Sequence, residues 1–296
     1  MLILKAPAKI NLFLKVLGPR SDGYHEIQSL MQKITLYDEL TFSLSDDIIL
    51  TTDADDIPVK ENLVYRAAIL LKDTFKVDQG AEIKLKKNIP IGAGLGGGSS
   101  DAAAALLGLS ELWSINCSRE DLCGIAGHLG SDVPFFLYGA LSFAYGRGEK
   151  ILPKRINKSF TVLLVKPDIF VSTAWAYKNF IGDRAECDSI LAQSNKELTK
   201  KSEKVNNIEH FIHIFEKEEF KNLSDAVLND LESVTAKEFP VINEIKDKLR
   251  KLGAAFALMS GSGPTVFGVF ETRNRAEKAS EAFSMYWTAI EETIID

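Results

Sequence analysis

The stretch that decides the fold is Pro90-Ile91-Gly92-Ala93-Gly94-Leu95-Gly96-Gly97-Gly98-Ser99-Ser100-Asp101-Ala102-Ala103-Ala104-Ala105, in which five glycines within seven residues lead directly into an alanine-rich helix former. Glycine backbones adopt positive φ and approach a ligand without a Cβ collision. The first turn of the following helix adds unpaired N–H donors and the positive end of the helix dipole. The stretch therefore predicts a phosphate-binding loop, with Ser99 and Ser100 capping the helix or donating hydroxyls to a phosphate or its metal.

Three other interpretations of this loop fail on its neighbours. A flexible spacer is disfavoured, because the run is short and apolar residues flank it on both sides. A Walker A loop ends in Gly-Lys-Ser/Thr, whereas Gly97-Gly98-Ser99 stands at that place. A dinucleotide-binding loop follows a strand that is buried on both faces, whereas residues 81–86 alternate apolar and charged side chains. The loop is predicted to bind phosphate and not NAD.

Working outward, the patterns predict an α+β protein in two halves with antiparallel and mixed sheets. Strands are predicted at 1–16, 24–44, 48–51, 81–87, 140–145, 161–166, 254–259, 265–270 and 287–295. Helices are predicted at 62–75, 99–112, 118–128, 172–180, 208–216, 220–229, 240–251 and after Thr272. A boundary near residue 155 gives an N-terminal nucleotide- and phosphate-loop domain, 1–155, and a C-terminal α+β domain, 156–296. The polar segment 182–207 is predicted to be a mobile insertion.

Composition and charge restrict the partners and the compartment. The 296 residues are 46% hydrophobic and 26% charged, as in ordinary globular domains. A net charge of −6 argues against a nucleic-acid or anionic membrane surface, so anionic substrates must be held by local groups. Three cysteines without a C-x-x-C pair suit a reducing cytoplasm, and no apolar run reaches the length of about 18 residues typical of a spanning helix. We expect a cytoplasmic protein.

A second glycine turn and one aspartate are further candidates. The turn is Met259-Ser260-Gly261-Ser262-Gly263-Pro264-Thr265, which reads either as a hairpin between two apolar strands or as an anion-binding nest. It gains meaning for function if it faces the first loop. Asp132 lies between a glycine-rich helix end and an apolar run, so it is a helix N-cap, a carboxylate that accepts or orients a hydroxyl proton, or both.

Polar side chains near the N-terminus form the last group. Lys9 and Asn11 share one face of the first strand, because strand side chains repeat every two residues. An enclosed Lys9 ammonium would hold a nearby aspartate ionised and neutralise charge on a transferred phosphoryl group. Tyr24 and His25 follow a turn and are suited to stacking on and hydrogen bonding a heterocyclic base, although a surface histidine is the plain alternative.

In combination, these motifs resemble the GHMP kinase superfamily. The matching segments span nearly the whole chain, except for about 182–207, and they are Pro7-Ala8-Lys9-Ile10-Asn11-Leu12, Arg20-Ser21-Asp22-Gly23-Tyr24-His25, Pro90 to Ala103, Gly130-Ser131-Asp132-Val133-Pro134 and Ser260-Gly261-Ser262-Gly263-Pro264. The first two segments are similar to the branch whose acceptor is a cytidine diphosphate-linked methylerythritol of the non-mevalonate isoprenoid pathway. The resemblance implies a two-domain GHMP kinase fold and transfer of the ATP γ-phosphoryl group to the 2-hydroxyl of that acceptor.

The resemblance also implies roles for individual residues. Asp132 would accept or orient the hydroxyl proton, and Lys9 would pair with it. ATP would be bound by Asn62, Lys87, Pro90, Ile91, Gly92, Ala93, Gly94, Leu95, Gly96, Gly97, Gly98, Ser99 and Ser100. The acceptor would be bound by Asn11, Tyr24, His25, Tyr177, Gly261, Ser262 and Gly263. Mg²⁺ is expected with its ligands unassigned, held mainly by ATP and hydroxyls because Mg²⁺ commonly keeps several waters. Asp101 follows the two serines where some relatives carry asparagine, so its contact with Mg²⁺ stays open.

Two rival hypotheses stay open on the sequence. One keeps the superfamily and changes the acceptor to mevalonate, homoserine or a sugar, and Tyr24-His25 argues against it. The other is a non-catalytic nucleotide-binding module in which the loop binds phosphate and nothing is transferred. The sequence does not fix the oligomeric state.

Overall fold

The computed structural model of the chain describes residues 1–54, 57–180 and 227–295. Its strands are β1 (Leu2–Pro19), β2 (His25–Ser45), β3 (Ile48–Thr52), β4 (Gly80–Lys86), β5 (Leu141–Gly146), β6 (Lys150–Lys154), β7 (Thr161–Lys166), β8 (Leu228–Asn229), β9 (Phe256–Met259), β10 (Val266–Phe270) and β11 (Trp287–Glu292). Its α-helices are α1 (Leu63–Phe75), α2 (Gly97–Leu112), α3 (Arg119–Leu129), α4 (Val133–Phe136), α5 (Thr173–Asn179), α6 (Asp230–Glu238), α7 (Val241–Lys251) and α8 (Arg273–Ser280).

The first sheet is built on the long antiparallel pair β1 and β2. In the described residues its order is β3-β4-β2-β1-β8, with the β5–β6 hairpin attached to β2. One half of β2, residues 27–32, pairs with β5, and the other half, residues 39–45, pairs with β4. Register shifts at Pro7/Lys9 and Asn11/Phe13 bend β1 within the region that carries Lys9 and Asn11.

Helices α1 and α2 cover one face of this sheet, and α3 packs against both of them. The alanines predicted to begin a helix after the glycine loop are buried in α2, where they join the core cluster around Phe42. Gly108 lies against the ring of Phe42, where a Cβ would come within 2.5 Å of a ring carbon. Close approach of α2 to the sheet fixes where the N-terminal end of the helix lies relative to β1.

The second sheet has the order β11-β7-β10-β9 in the described residues, with α7 and α8 packed against it. Its strands are antiparallel, and β9 and β10 form a hairpin across the second glycine turn. The last residues connect the two sheets, since Ile34 of β2 and Thr293 form a bridge and Ile294 N donates to Lys33 O at 3.0 Å. The predicted α+β class with antiparallel and mixed sheets is confirmed.

Some predicted elements differ. The helix predicted at 220–229 is wrong at its described end, because Leu228–Asn229 is a strand and a helix begins only at Asp230. The physical reason is that the Asn229 side chain accepts from Leu231 N at 3.0 Å and so caps α6, a helix that the pattern did not predict. Strand β6 is not predicted either, because proline and charged residues are not typical of a strand. Pro153 and its charged neighbours are tolerated there because, within the described chain, β6 pairs only with β5. The helix predicted at 208–216 and the insertion predicted at 182–207 lie outside the described residues.

None of the described helices is both long and apolar enough to cross a membrane.

Candidate active site

The motifs predicted to be functional line one cleft with a volume of about 930 Å³. It lies where β1, the glycine loop, the second glycine turn and α5 meet. The residues that the sequence predicted and the structure brings together there are Lys9, Asn11, Tyr24, His25, Asn62, Lys87, Pro90, Ile91, Gly92, Ala93, Gly94, Leu95, Gly96, Gly97, Gly98, Ser99, Asp132, Tyr177, Gly261 and Ser262.

Two predicted residues, Ser100 and Gly263, are not among the lining residues. Ser100 is 1% exposed and continues the helix with its N–H bonded to Gly96 O, so its side chain turns toward the core. Gly263 packs against the Met259 side chain, where a Cβ would come within 2.6 Å of the sulfur. These two residues support the walls of the cleft from behind.

The glycine loop leads directly into α2, which begins at Gly97 with Gly96 in the N-cap position. Gly92, Gly94 and Gly96 all have positive φ, between 64° and 76°, which β-carbon-bearing residues rarely adopt. Because the N-cap is a glycine, the prediction that Ser99 or Ser100 caps this helix is wrong. The first backbone N–H groups of a helix have no partner within it, and a loop without side chains leaves them accessible to a ligand.

Backbone contacts fix the loop between β1 and the second glycine turn. Lys9 N donates to Leu95 O at 2.9 Å, and the Ser260 hydroxyl donates to Gly94 O at 2.9 Å. Thr265 N also donates to Ala93 O at 3.3 Å. The second turn is therefore both a hairpin turn and a direct neighbour of the first loop, so its two open interpretations are compatible.

Lys9 and Asp132 form an ion pair at the loop, with Nζ and Oδ2 separated by 3.4 Å. The lysine side chain is 4% exposed, whereas the aspartate side chain is 35% exposed and within reach of a ligand. Asp132 occupies the N-cap position of α4, but it makes no capping hydrogen bond to the described backbone of that helix. The carboxylate is thus directed toward the lysine: the predicted N-cap position is confirmed, but the capping hydrogen bond typical of it is not made.

Asn11 orients this lysine. Its Oδ1 accepts from Lys9 Nζ at 2.5 Å, and its Nδ2 donates to the Ser29 hydroxyl at 2.8 Å. The Ser29 hydroxyl donates in turn to Phe13 O, which fixes the direction of the amide. Both ends of the Asn11 amide are engaged inside the protein, so Asn11 holds Lys9 in place while it lines the cleft.

A second cluster of charged residues lies beside the N-terminal end of α2, which we call the mouth of α2. Lys87 bridges Asp38 and Asp101, and its Nζ lies 2.6 Å from Asp101 Oδ2. Asp38 is fully buried and also accepts from Asn88 N and Ile89 N, which fixes the segment before the glycine loop. Burial raises the pKa of Asp101 to about 7 despite its ion pair with Lys87. Burial lowers the pKa of Lys87, but the two carboxylates outweigh it and the net pKa is raised.

Aromatic residues form another part of the cleft, called the aromatic end below. The rings of His25 and Tyr177 lie 5.3 Å apart, and the Arg147 guanidinium lies 5.0 Å from the centre of the Tyr24 ring. Tyr24 is half exposed, so its ring is available for stacking. Burial lowers the pKa of His25, which favours a neutral imidazole, and burial together with the charge of Asp132 raises the pKa of the Tyr177 hydroxyl.

Sequence reasoning missed two of these residues. Arg147 stands between two glycines, and this isolated cation in a turn was the signal available. Asp38 is a charged residue within a strand whose neighbours Leu40 and Phe42 are core residues, and a buried strand carboxylate requires partners. Across residues 1–54, 57–180 and 227–295, no group of three His, Cys, Asp or Glu side chains is arranged to hold a metal ion.

Comparison with known proteins extends these findings. Residues 62–140 match the GHMP kinases N terminal domain, and residues 211–288 match the GHMP kinases C terminal model. A 4-diphosphocytidyl-2-C-methyl-D-erythritol kinase from Thermodesulfovibrio yellowstonii is 42% identical over 100% of this chain and 99% of that protein. The protein of the same name from Enterococcus faecalis is 41% identical over 94% of this chain and 93% of its own length.

Solved structures give the same result at the level of the fold. A crystal structure of 4-(cytidine 5'-diphospho)-2C-methyl-D-erythritol kinase superposes with a TM-score of 0.79, at 32% identity and 99% coverage of both chains. Homoserine kinase from Cytophaga hutchinsonii superposes with a TM-score of 0.74 at 18% identity, covering 99% of this chain and 94% of that one. At that identity the likeness to homoserine kinase concerns the fold alone.

Proposed function

Because the chain belongs to the GHMP kinase family and, within it, to the 4-diphosphocytidyl-2-C-methyl-D-erythritol kinases, we propose that its cleft binds ATP at the glycine loop and the cytidine-linked alcohol at the aromatic end. The chain is an ATP-dependent phosphotransferase with an alcohol acceptor, in the non-mevalonate route to isoprenoid precursors. Its reaction transfers the γ-phosphoryl group of ATP to the 2-hydroxyl of 4-diphosphocytidyl-2-C-methyl-D-erythritol.

The observation that carries the assignment of the catalytic residues is the Lys9–Asp132 pair beside the loop that begins α2. In our proposal the acceptor oxygen attacks the γ-phosphorus while the bond to the β-phosphate bridging oxygen breaks, and the hydroxyl proton passes to Asp132. Lys9 keeps Asp132 ionised and neutralises charge that develops on the transferred group. Phosphoryl transfer is largely dissociative, so Asp132 acts mainly by orienting the hydroxyl.

ATP binding is assigned to the N-terminal domain, residues 1–155. Backbone N–H groups of residues 92–98 face the phosphates, because phosphate binds favourably at the N-terminal end of a helix. Asn62 and Lys87 line the same cleft, and we assign them to contacts with the nucleotide. The Ser99 hydroxyl and the phosphates suit Mg²⁺, a cation that prefers oxygen ligands and keeps several waters, and the metal would neutralise phosphate charge.

The acceptor is assigned to the aromatic end of the cleft. Tyr24 and Tyr177 offer ring faces, and a neutral His25 offers one donor and one acceptor to a pyrimidine edge. Gly261 and Ser262 border the space between these rings and Lys9, with the Ser262 and Thr173 hydroxyls 2.9 Å apart. An acceptor bound in this manner places its alcohol near Asp132.

We also propose that the enzyme works in the cytoplasm. Its three cysteines suit a reducing compartment, and the two of them that the structure describes, Cys117 and Cys123, are free thiols. Because the net charge of the protein is −6, its anionic nucleotide substrates are held by local groups of the cleft and not by an overall positive charge.

The test of the catalytic roles measures ADP release with Mg²⁺-ATP and 4-diphosphocytidyl-2-C-methyl-D-erythritol. Asp132→Asn and Lys9→Met should each lower kcat by about 10²- to 10⁴-fold, the usual contribution of a positioned acid or base. Asp73→Asn, on the exposed side of α1, is the matched control and should leave kcat unchanged.

Thermal unfolding establishes that all variants are folded. Wild-type turnover in both cleft variants would refute the roles given to Lys9 and Asp132. Faster turnover of mevalonate or homoserine than of the cytidine-linked acceptor would refute the substrate assignment. Binding of ATP without any ADP release would favour a non-catalytic module.

A further inference from the structure

Lys33 of β2 lies at the end of α4 opposite to Asp132. Its Nζ donates to Phe136 O at 3.1 Å and to Tyr138 O at 2.6 Å, and it stands 5.6 Å from the centre of the Phe135 ring. The residue is buried. A lysine in the middle of the main sheet thus holds the segment that directly follows the proposed catalytic aspartate.

Backbone contacts reinforce this attachment. Lys33 N donates to Ala140 O at 2.8 Å, and the side chain of its neighbour Gln32 donates to Ala140 O at 3.3 Å. The same Gln32 amide donates to Ile294 O at 2.8 Å, next to the Ile294 N that donates to Lys33 O. Residues 32 and 33 therefore form a junction between β2, the segment 136–140 and the last residues of the described chain.

The shortness of α4 gives this junction its importance. A helix of four residues has almost no internal hydrogen bonds, so its position is set by its surroundings. A cation at a helix C-terminus satisfies carbonyls that have no partner within the helix and interacts favourably with the dipole. At the other end, Asp132 makes no capping bond to the described backbone of α4 that would fix its direction locally.

Packing of α4 transmits any displacement to the reaction centre. Phe136 touches the glycine loop, since a Cβ at Gly96 would lie 3.0 Å from the Phe136 ring and 2.9 Å from the Lys9 stem. A shift of α4 therefore moves Asp132 relative to both Lys9 and the mouth of α2. Misplacement of a reacting group by 1 Å can cost about 10²-fold in rate.

We propose that Lys33 is a positioning residue for the phosphoryl transfer, which sets the location of Asp132 by binding the carbonyls at the far end of α4. The inference rests on the proposed role of Asp132. It adds a group that lies outside the cleft and touches neither ATP nor the acceptor.

The test combines Lys33→Met with Asp132→Asn in a double-mutant cycle. Lys33→Met alone should lower kcat by about 10- to 100-fold while the KM for ATP stays unchanged, because the ATP loop is held by other contacts. In the Asp132→Asn background the same substitution should lower kcat by less than about 2-fold, because a misplaced asparagine has little left to lose. Lys33→Gln keeps a donor for one carbonyl and should give an intermediate kcat, and it serves if the methionine variant fails to fold.

Lys72→Met is the matched control. Lys72 Nζ also donates to two backbone carbonyls, Asp78 O and Gln79 O, but it lies between α1 and β4, away from the cleft. It should lower the unfolding temperature without changing kcat. A folded Lys33 variant with wild-type kcat, or an equal loss of kcat with and without Asp132, would overturn the inference, whereas full activity of Asp132→Asn alone would instead overturn the role of Asp132.

Discussion

At the scale of single residues, the cluster of Lys87, Asp38 and Asp101 is the least expected feature of the cleft. It places two buried carboxylates and one ammonium beside a loop assigned to an anionic ligand. Asp101 Oδ1 has no hydrogen-bond partner among the described residues, so one of the carboxylates is only half satisfied. Burial of this carboxylate oxygen without a partner disfavours the charged form and so raises the pKa of Asp101.

This cluster predicts a pH-dependent effect of Asp101→Asn on stability. Because the folded-state pKa is raised to about 7 from its ordinary value near 3.8, the contribution of Asp101 is fully present below about pH 4 and is lost as pH rises through 7. Asparagine does not titrate. The free energy of unfolding of the variant, relative to wild type, should therefore increase between pH 5 and pH 8 by more than about 1 kcal/mol.

Urea unfolding at the two pH values measures this difference. The control is Asp121→Asn, because hydrogen bonds from Ser118 lower the pKa of Asp121 and its titration ends below pH 5. Its difference from wild type should be the same at pH 5 and pH 8. A pH-independent difference for Asp101→Asn as well would contradict the raised pKa.

At the scale of elements, the contact between the two glycine segments decides whether the phosphate loop keeps its shape. Gly94 has a φ of 76°, and a Cβ there would lie 2.3 Å from Ser260 O and 2.9 Å from Gly263 O. These are backbone atoms of a turn that is itself paired into β9 and β10, so they cannot give way easily. Two segments far apart in sequence are thus fitted to each other at one glycine.

Gly94→Ala should therefore raise the KM for ATP at least about 10-fold and lower the free energy of unfolding by about 1 to 3 kcal/mol, the usual cost of a strained backbone conformation. Steady-state kinetics and urea unfolding measure the two effects. Gly124→Ala is the control, since it lies within α3 with nothing within 4 Å of its added Cβ and should stabilise the helix by up to about 1 kcal/mol. Equal behaviour of the two variants would show that the close approach at Gly94 has no consequence.

The sequence predicted the local parts of this arrangement and not their long-range pairing. Lys9 and Asn11 were expected on one face because strand periodicity is local, and the helix after the glycine loop was expected for the same reason. The bond from Ser260 to Gly94 joins residues 166 apart, and turn statistics contain no information about such a contact. Asp38 was missed because its partners Lys87 and Asp101 lie on other elements. The pattern at 220–229 predicts a helix that ends at Asn229, whereas Asn229 caps α6, so α6 is not predicted.

At the scale of the whole molecule, residues 292–294, at the end of β11 and just after it, connect the two sheets. Phe160 N donates to the Thr293 hydroxyl at 3.0 Å, and the Ser159 hydroxyl donates to Thr293 O at 2.6 Å. Thr35 receives Glu292 N on its hydroxyl at 2.9 Å. The middle of β2 and the residues just before β7 are thus joined through the buried Thr293 and its neighbours.

Thr293→Val should lower the free energy of unfolding by about 1 to 3 kcal/mol, because it keeps the shape of the side chain and removes the hydroxyl that accepts from Phe160 N. Urea unfolding measures the loss. Thr74→Val, on an exposed turn of α1, should change stability by no more than about 0.5 kcal/mol. A loss for Thr293→Val no larger than this would mean that the hydrogen bonds of residue 293 contribute little to stability.

The connection through residues 292–294 also determines when the contacts of β2 are completed during synthesis of the chain. Thr35 and its partner Glu292 are 257 residues apart. At about 5 to 20 residues per second, the ribosome therefore adds Glu292 roughly 13 to 50 s after Thr35. Throughout that interval the amide of Gln32 and the carbonyl of Lys33 await Ile294, and the junction behind Asp132 is incomplete. A nascent chain therefore completes the contacts behind Asp132 only after Ile294 has been synthesised, long after β1 and β2.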